Sequence, residues 1–112
     1  MTRPHHVETL IETDGPELVV AEGDGRAWLG LLSALTAGAE RWLYAPITAA
    51  DREALLSGAV PIEALYRRAG VLDVVASRDG PPTVTVVDGA ALPERALPRA
   101  GWCLPEWARR AA

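Results

Sequence analysis

Short apolar runs separated by glycine-rich turns make up the first half of the chain. Residues 18–21 form a strand-like run, and the Gly-Asp-Gly sequence at 23–25 is typical of a hairpin turn. Residues 26–35 are ambiguous, because their Trp and Leu side chains also have helical spacing. We predict a strand over 27–32, since an Asp-Gly turn comes directly before it, and a helix over 26–35 is the alternative.

Two short helices are predicted in the middle of the chain. Thr48 and Asp51 have the spacing of a capping box, in which a hydroxyl and a carboxylate bond to backbone amides of the first turn. This first helix is expected over 49–57. Pro61 suits the first position of a second helix, which Gly70 is expected to end.

Strand-like runs on both sides of these helices complete the pattern. A run over 42–45 precedes them, and a hairpin formed by 71–77 and 83–88 follows, with Val84 and Val86 expected to face the core. The predicted fold class is therefore α+β. It is a small antiparallel sheet, made of a meander plus a C-terminal hairpin, with two short helices packed on one face.

A single domain is expected over residues 1–112, because a chain of this length can bury roughly two-thirds of its unfolded surface. Residues 1–13 are expected to form an N-terminal arm or an edge strand. Residues 90–112 are a proline-rich C-terminal segment, in which the prolines forbid long regular structure.

The predicted strands are apolar on both faces. Trp28 and Leu32 fall on one face of their strand, while Leu29 and Leu31 fall on the other. A sheet covered by helices on one face normally has polar residues on its other face, so this second face needs a cover. Three covers remain open: the C-terminal segment 102–107, a second subunit, or a bound partner.

Tryptophans mark the candidate interface. Tryptophan is enriched at binding hot spots, and two of the four tryptophans lie on the irregular C-terminal segment. Trp28 is also expected to lie in the core. The candidate interface residues are Trp102, Leu104, Trp107, Trp28 and Leu31.

The sequence offers no arrangement of side chains that suits catalysis or metal binding. His5 and His6 are adjacent on an arm without predicted structure, so they lack the fixed geometry of a zinc site or of a general base. Cys103 lies between apolar residues, and core packing is its expected role. We expect no catalytic residue, no metal and no cofactor, and therefore no enzyme.

Composition narrows the classes of partner. All eleven basic residues are Arg, and the formal net charge is −4. GC-rich coding DNA explains the Arg usage, and the acidic balance argues against nucleic-acid binding. No apolar run is long enough to cross a membrane, and the first residues lack the apolar core of a signal peptide. With a single cysteine, these features predict a cytoplasmic bacterial protein.

Five short motifs follow one another along the first two-thirds of the chain. They are Asp14-Gly15-Pro16, Trp28-Leu29-Gly30-Leu31-Leu32, Glu40-Arg41-Trp42-Leu43-Tyr44-Ala45-Pro46-Ile47, Leu55-Leu56-Ser57-Gly58 and Ile62-Glu63-Ala64-Leu65. Their succession resembles a bacterial family of small uncharacterised domains, matched over about residues 10–75. The resemblance implies an α+β domain with a strand over 27–32, no established chemistry, and no catalytic residues to carry over.

The expected function is that of a small non-catalytic interaction or accessory module. It would self-associate or bind a protein partner through its apolar sheet surface and its C-terminal tryptophans. The alternative is a small-molecule-binding or enzymatic domain with a pocket lined by Trp and Arg. In that alternative, Arg67, Asp73 or Tyr66 would converge on the pocket.

Overall fold

The computed structural model describes residues 2–111, and it describes side chains for residues 2–108. The strands are β1 (His5–Glu12), β2 (Pro16–Gly23), β3 (Arg26–Leu35), β4 (Ala39–Ile47), β5 (Val71–Ser77) and β6 (Thr83–Val87). The α-helices are α1 (Ala49–Leu56), α2 (Ile62–Tyr66) and α3 (Glu106–Ala111), and single 3₁₀ turns lie at Gly89–Ala91 and Glu94–Ala96. Within 2–111, no helix has the length and apolarity that crossing a membrane requires.

The strands form one antiparallel sheet whose spatial order is the order of the sequence, β1-β2-β3-β4-β5-β6. An antiparallel sheet accompanied by short helices confirms the predicted class. The strand predicted for 27–32 is also confirmed, and the helix alternative for 26–35 is wrong. This segment pairs with β2 on one side and β4 on the other, and such tertiary pairing overrides a local helix preference.

Helix α1 begins as its capping box predicts. The Thr48 hydroxyl accepts from the Asp51 amide at 3.1 Å, and the Asp51 carboxylate accepts from the Thr48 amide at 2.9 Å. Two of the four amides that lack an intrahelical partner at the helix start are therefore satisfied locally. The helix ends at Leu56, one residue before the predicted end.

Helix α2 is shorter than predicted, since it ends at Tyr66 and not near Gly70. Arg67 follows with a ψ of 38°, outside the helical range. Its Nη1 atom donates to the carbonyls of Gly89 and Leu92, at 3.0 and 2.6 Å. The 3₁₀ turn after β6 thus takes the position next to the end of α2, and the helix stops there.

Two apolar clusters form the core, and the alternation of side chains along the strands assigns them to opposite faces of the sheet. In β2, for example, Leu18 and Val20 belong to the first cluster, while Val19 and Ala21 belong to the second. The first cluster includes the buried residues of α1 and α2. The second cluster consists of Val19, Ala21, Trp28, Trp42, Tyr44, Leu72 and Val74, with Leu32 and Val84 packed against it.

The C-terminal segment packs in the first cluster, beside the helices. Leu104 and Ala108 are buried there. The amide of Ile62 donates to the Trp102 carbonyl at 3.0 Å, which fixes the segment next to the start of α2. Of the three covers left open for the second face, the C-terminal segment is therefore ruled out, because it packs with the first cluster.

Candidate functional site

Strand β6 is an open edge of the sheet. Its five residues, Thr-Val-Thr-Val-Val, are all β-branched and uncharged. It pairs with β5 without a register shift, and within residues 2–111 its outer side has no strand neighbour. Val86 lies on the face of the second cluster, opposite Leu72, but it is 53% exposed and is therefore not part of the core as expected. Val84 packs partly against the second cluster.

Strand β1, at the opposite edge, is irregular and charged. Its pairing with β2 shifts register at three places, and shifts of this kind bend and twist an edge strand. Glu8 forms an ion pair with Arg52 of α1, with 2.8 Å between Oε2 and Nη2. Leu10 is buried in the first cluster. Of these two edges, β6 therefore offers the regular ladder.

Two aromatic rings of β4 stack over the middle of the second face. The ring centroids of Trp42 and Tyr44 are 6.1 Å apart. Tyr44 is fully buried because Gly30, directly opposite on β3, leaves room for its ring. A Cβ atom at Gly30 would lie 2.8 Å from Tyr44 Cε1 and 2.8 Å from Val19 Cγ2. The packing of this cluster thus requires glycine at position 30.

The first residues of the chain cover this aromatic cluster. The ring centroid of His6 lies 4.6 Å from that of Trp42, and His6 Nε2 lies 2.7 Å from Tyr44 Oη. Arg3 Nε donates to the same oxygen at 3.1 Å, and Pro4 is buried. The expectation that His6 lies on an arm without structure is therefore wrong, because a ring contact and a hydrogen bond hold it.

The Tyr44 hydroxyl joins Arg3 and His6. Arginine only donates, so the Tyr44 oxygen accepts from Arg3. The same hydroxyl shares a hydrogen bond with His6 Nε2, and the tautomer of the ring decides which of the two groups donates. Burial lowers the pKa of His6 from its ordinary 6.5, the Arg3 charge lowers it further, and Glu40 opposes them. Burial raises the pKa of the Tyr44 hydroxyl, so this hydroxyl stays protonated at neutral pH.

A cleft of about 380 Å³ opens beside the cluster. Arg3, His6 and Trp42 line one part of it, and the β1–β2 turn lines another. Glu40 also lines the cleft, and its Oε2 accepts from Trp42 Nε1 at 3.0 Å. The cleft therefore presents an indole, a guanidinium and a carboxylate to a small molecule.

The five residues predicted as an interface do not form one surface. Trp107 is 61% exposed. Trp102 and Leu31 are partly buried against the first cluster. Leu104 lies inside the first cluster and Trp28 inside the second, so both are core residues and not surface residues. Sequence reasoning missed the β6 edge, although its run of uncharged β-branched residues was a visible signal.

The three residues named for an enclosed pocket do not converge. Arg67 bonds to Glu63 at 2.9 Å as well as to carbonyls of the 3₁₀ turn. Asp73 accepts from Arg41 at 3.0 and 2.8 Å. Tyr66 is fully buried, and its hydroxyl donates to the Leu29 carbonyl at 2.7 Å. Each side chain thus has a separate structural partner.

Residues with metal-binding or nucleophilic side chains are dispersed. Among the described residues, no group of three or more His, Cys, Asp or Glu side chains could hold a metal ion. Cys103 is half-buried and pairs with Pro61 in an isolated antiparallel bridge. It therefore takes part in fixing the C-terminal segment next to α2.

Comparison with protein-family models, with curated proteins and with solved structures finds no match. The resemblance over about residues 10–75 stays a prediction.

Proposed function

We propose that the protein is a non-catalytic interaction module that self-associates or binds a protein partner through its sheet. The observation that carries this proposal is the β6 edge, which is regular, uncharged and partly exposed. Natural sheets normally protect such edges with charge, proline or bulges, and β6 has none of these within its five residues. The composition supports the cytoplasm of a bacterium as the proposed setting.

Several polar side chains are engaged in structural contacts, which also favours a non-catalytic role. Arg41, Arg52, Arg67 and Arg68 each form an ion pair with a carboxylate. Burial raises the pKa of Tyr66 well above its ordinary value, so its hydroxyl keeps its proton and serves as a donor to the sheet backbone. These groups have structural roles that occupy them.

Solution mass measured by light scattering over a range of protein concentrations tests the proposal. We expect the mean mass to rise with concentration, because an edge of this size supports a reversible association. A constant monomer mass up to millimolar concentration, together with no binding of a β6-sequence peptide, would reject self-association through the sheet.

The cleft beside His6 supports a second candidate function, the binding of a small molecule. The held imidazole, the Trp42 ring and the Arg3 guanidinium give this cleft more defined chemistry than the other surfaces. Benzoate and benzylamine are suitable probes, since both are aromatic and they carry opposite charges. Saturable shifts of the His6 ring signals in NMR with one probe, lost in Arg3→Gln, would support this candidate. Equal, unsaturable responses to both would reject it.

A further inference from the structure

We propose that strand β6 pairs antiparallel with β6 of a second copy, with Thr85 of one chain opposite Thr85 of the other. This inference rests on the proposed interaction function and names its partner and its register. The pairing would join two six-stranded sheets into one continuous sheet with a two-fold axis through its centre.

The length of the pairing is set by the chain on both sides of β6. Pro81 and Pro82 precede the strand, and proline has no amide hydrogen to donate to a ladder. After the strand, the Asp88 carboxylate caps a 3₁₀ turn, and the Gly89 amide donates to the Arg68 carbonyl at 2.8 Å. The backbone has then turned away from the sheet edge, so Thr83–Val87 is the segment that can pair.

The side-chain pattern of β6 is complementary to itself about Thr85. In the antiparallel register centred there, Val84 lies opposite the partner's Val86, and Thr83 lies opposite the partner's Val87. A two-fold axis perpendicular to the sheet keeps each side chain on the same face in both copies. Opposed β-branched pairs of this kind are among the favourable cross-strand neighbours in sheets.

The pairing would extend the second apolar cluster across the junction. Val84 lies opposite Val74, and Val86 lies opposite Leu72. Both valines therefore extend the second cluster across the sheet by one strand. In the dimer the exposed Val86 would pack beside the partner's Val84. The apolar rows that start at the aromatic rings of β4 would thus run from one copy into the other.

Charge and symmetry favour a second copy over other occupants. β6 carries no charged residue, so two copies with a net charge of −4 each meet without like charges at the ladder. Pairing of β6 with β1 of another copy is heterologous and would grow into an open chain, and the register shifts of β1 oppose it. Pairing of β6 with β6 of a second copy gives a closed dimer, in which no further copy can add through β6.

The small size of the junction sets the expected strength. A five-residue ladder buries less than the about 1,200 Å² at which stable complexes begin. We therefore expect a weak dimer whose population depends on protein concentration, and not an obligate one.

Disulfide trapping of the full chain tests the register. Cys103→Ser removes the native thiol, and Thr85→Cys or Thr83→Cys is added to that background. Directly opposite Cα atoms are about 4.5–5.5 Å apart, within the range that a disulfide spans, so Thr85→Cys should form a covalent dimer on mild oxidation. Thr83→Cys should not, because two copies of that position would be about 14 Å apart along the ladder.

Substitution at the edge tests the surface without a covalent trap. Val86→Lys should keep the chain monomeric at concentrations where the parent chain dimerises, since a lysine on an edge strand opposes pairing and the two lysines would be diagonal neighbours on one face. Val7→Lys, at an exposed position of β1, is the matched control and should leave dimerisation unchanged. Circular dichroism of both variants checks that the sheet is intact.

The outcomes separate the two proposals. Suppose that the parent chain dimerises, that Val86→Lys has no effect on dimerisation, and that Thr83→Cys cross-links to the same extent as Thr85→Cys. The β6 register is then overturned, and self-association through another surface stands. If the parent stays monomeric and neither cysteine variant cross-links, the self-association proposal falls with it.

Discussion

The two edges of this sheet are built in contrasting ways. β1 shifts register three times against its neighbour, pairs Glu8 with a helix arginine, and inserts Leu10 into the core. β6 runs in regular register and carries five uncharged β-branched residues. Side-chain contacts close the first edge, whereas β6 has no register shift and no charged residue, and its Val84 and Val87 are only partly buried against the core clusters. The difference teaches that one sheet can keep one edge unavailable and leave the other free to pair.

Leucine-to-alanine substitution at the closed edge should have the largest effect. Leu10→Ala removes a side chain that is 3% exposed, and we expect a loss of about 2–5 kcal/mol in the free energy of unfolding. Val86→Ala at the open edge should cost less than about 0.5 kcal/mol in the monomer. Urea denaturation measures both.

Protein concentration sharpens this first comparison. If β6 pairs with a second copy, the cost of Val86→Ala should grow with concentration, because association stabilises the parent chain, while the cost of Leu10→Ala should stay constant. A cost at Val86 equal to that at Leu10 in dilute solution would show that the β6 edge is not open.

Gly30→Ala should have the next largest effect, because its Cβ would clash with the Tyr44 ring, whose hydroxyl bonds to Arg3 and His6. The clash with Tyr44 and Val19 should cost about 1–3 kcal/mol. Faster hydrogen exchange is expected at β1 and not at β6. Gly38→Ala, with no atom within 4 Å of the added carbon, is the control. Equal stability of the two variants would contradict the packing described for Tyr44.

Acid should weaken the closed edge through His6. The pKa of His6 is lowered in the folded chain, so below pH about 6.5 the unfolded chain binds more protons and acid favours unfolding. The contribution of neutral His6 to the free energy of unfolding is fully present above pH 6.5. It is lost as the pH falls through the lower pKa that His6 has in the folded chain. Urea denaturation from pH 8 to pH 5 measures the loss.

His6→Gln should remove this dependence while leaving His5 in place. The replaced hydrogen bond should change stability at neutral pH by about 0.5–1.5 kcal/mol at most. The range stays above the titration of Asp51, whose pKa is lowered to about 2 by its bond with Arg68. An identical pH profile in the parent and in His6→Gln would mean that His6 is not the titrating group.

The ion pair between Glu8 and Arg52 should contribute the least. Its side chains are 30% and 41% exposed, and pairs of this kind contribute about 0.2–1 kcal/mol. A double-mutant cycle with Glu8→Gln and Arg52→Gln measures the coupling, which 1 M salt should reduce. Glu17→Gln, at an exposed position of β2, is the control. A coupling that salt leaves unchanged would point to packing and not to charge.

Local signals made much of the fold predictable. The Gly-Asp-Gly turn located the β2–β3 hairpin, and the spacing of Thr48 and Asp51 located the start of α1. Both signals act between residues a few positions apart, so a single sequence contains them in full. The open choice for residues 26–35 was resolved correctly for the same reason, by the adjacent turn.

The positions of the two ends of the chain were not predictable in the same way. His6 faces Tyr44 because β1 skips a residue against β2 between His6 and Glu8, and strict alternation of side chains gives no sign of such a skip. The C-terminal segment sits beside α2 because of backbone bonds to Ile62 and Pro61, which join residues far apart in sequence.

The candidate site was hidden for a related reason. An uncharged β-branched strand has the same sequence pattern at the centre of a sheet and at its edge. Val86 was therefore expected in the core, and only the strand order shows that β6 is the last strand. The sequence thus shows that β6 is uncharged and β-branched, but it does not show that this strand lies at the edge of the sheet.

Because spatial order equals sequence order in this sheet, each new strand can dock on the one made just before it during synthesis. Growth would then proceed in one direction, with the open edge always at the newest strand and no early strand waiting for a late one. The last step would be the return of the C-terminal segment to the first cluster. Ribosome-bound chains long enough to expose each successive strand should therefore gain protease resistance in steps, with the final step when Leu104 and Ala108 are exposed as well.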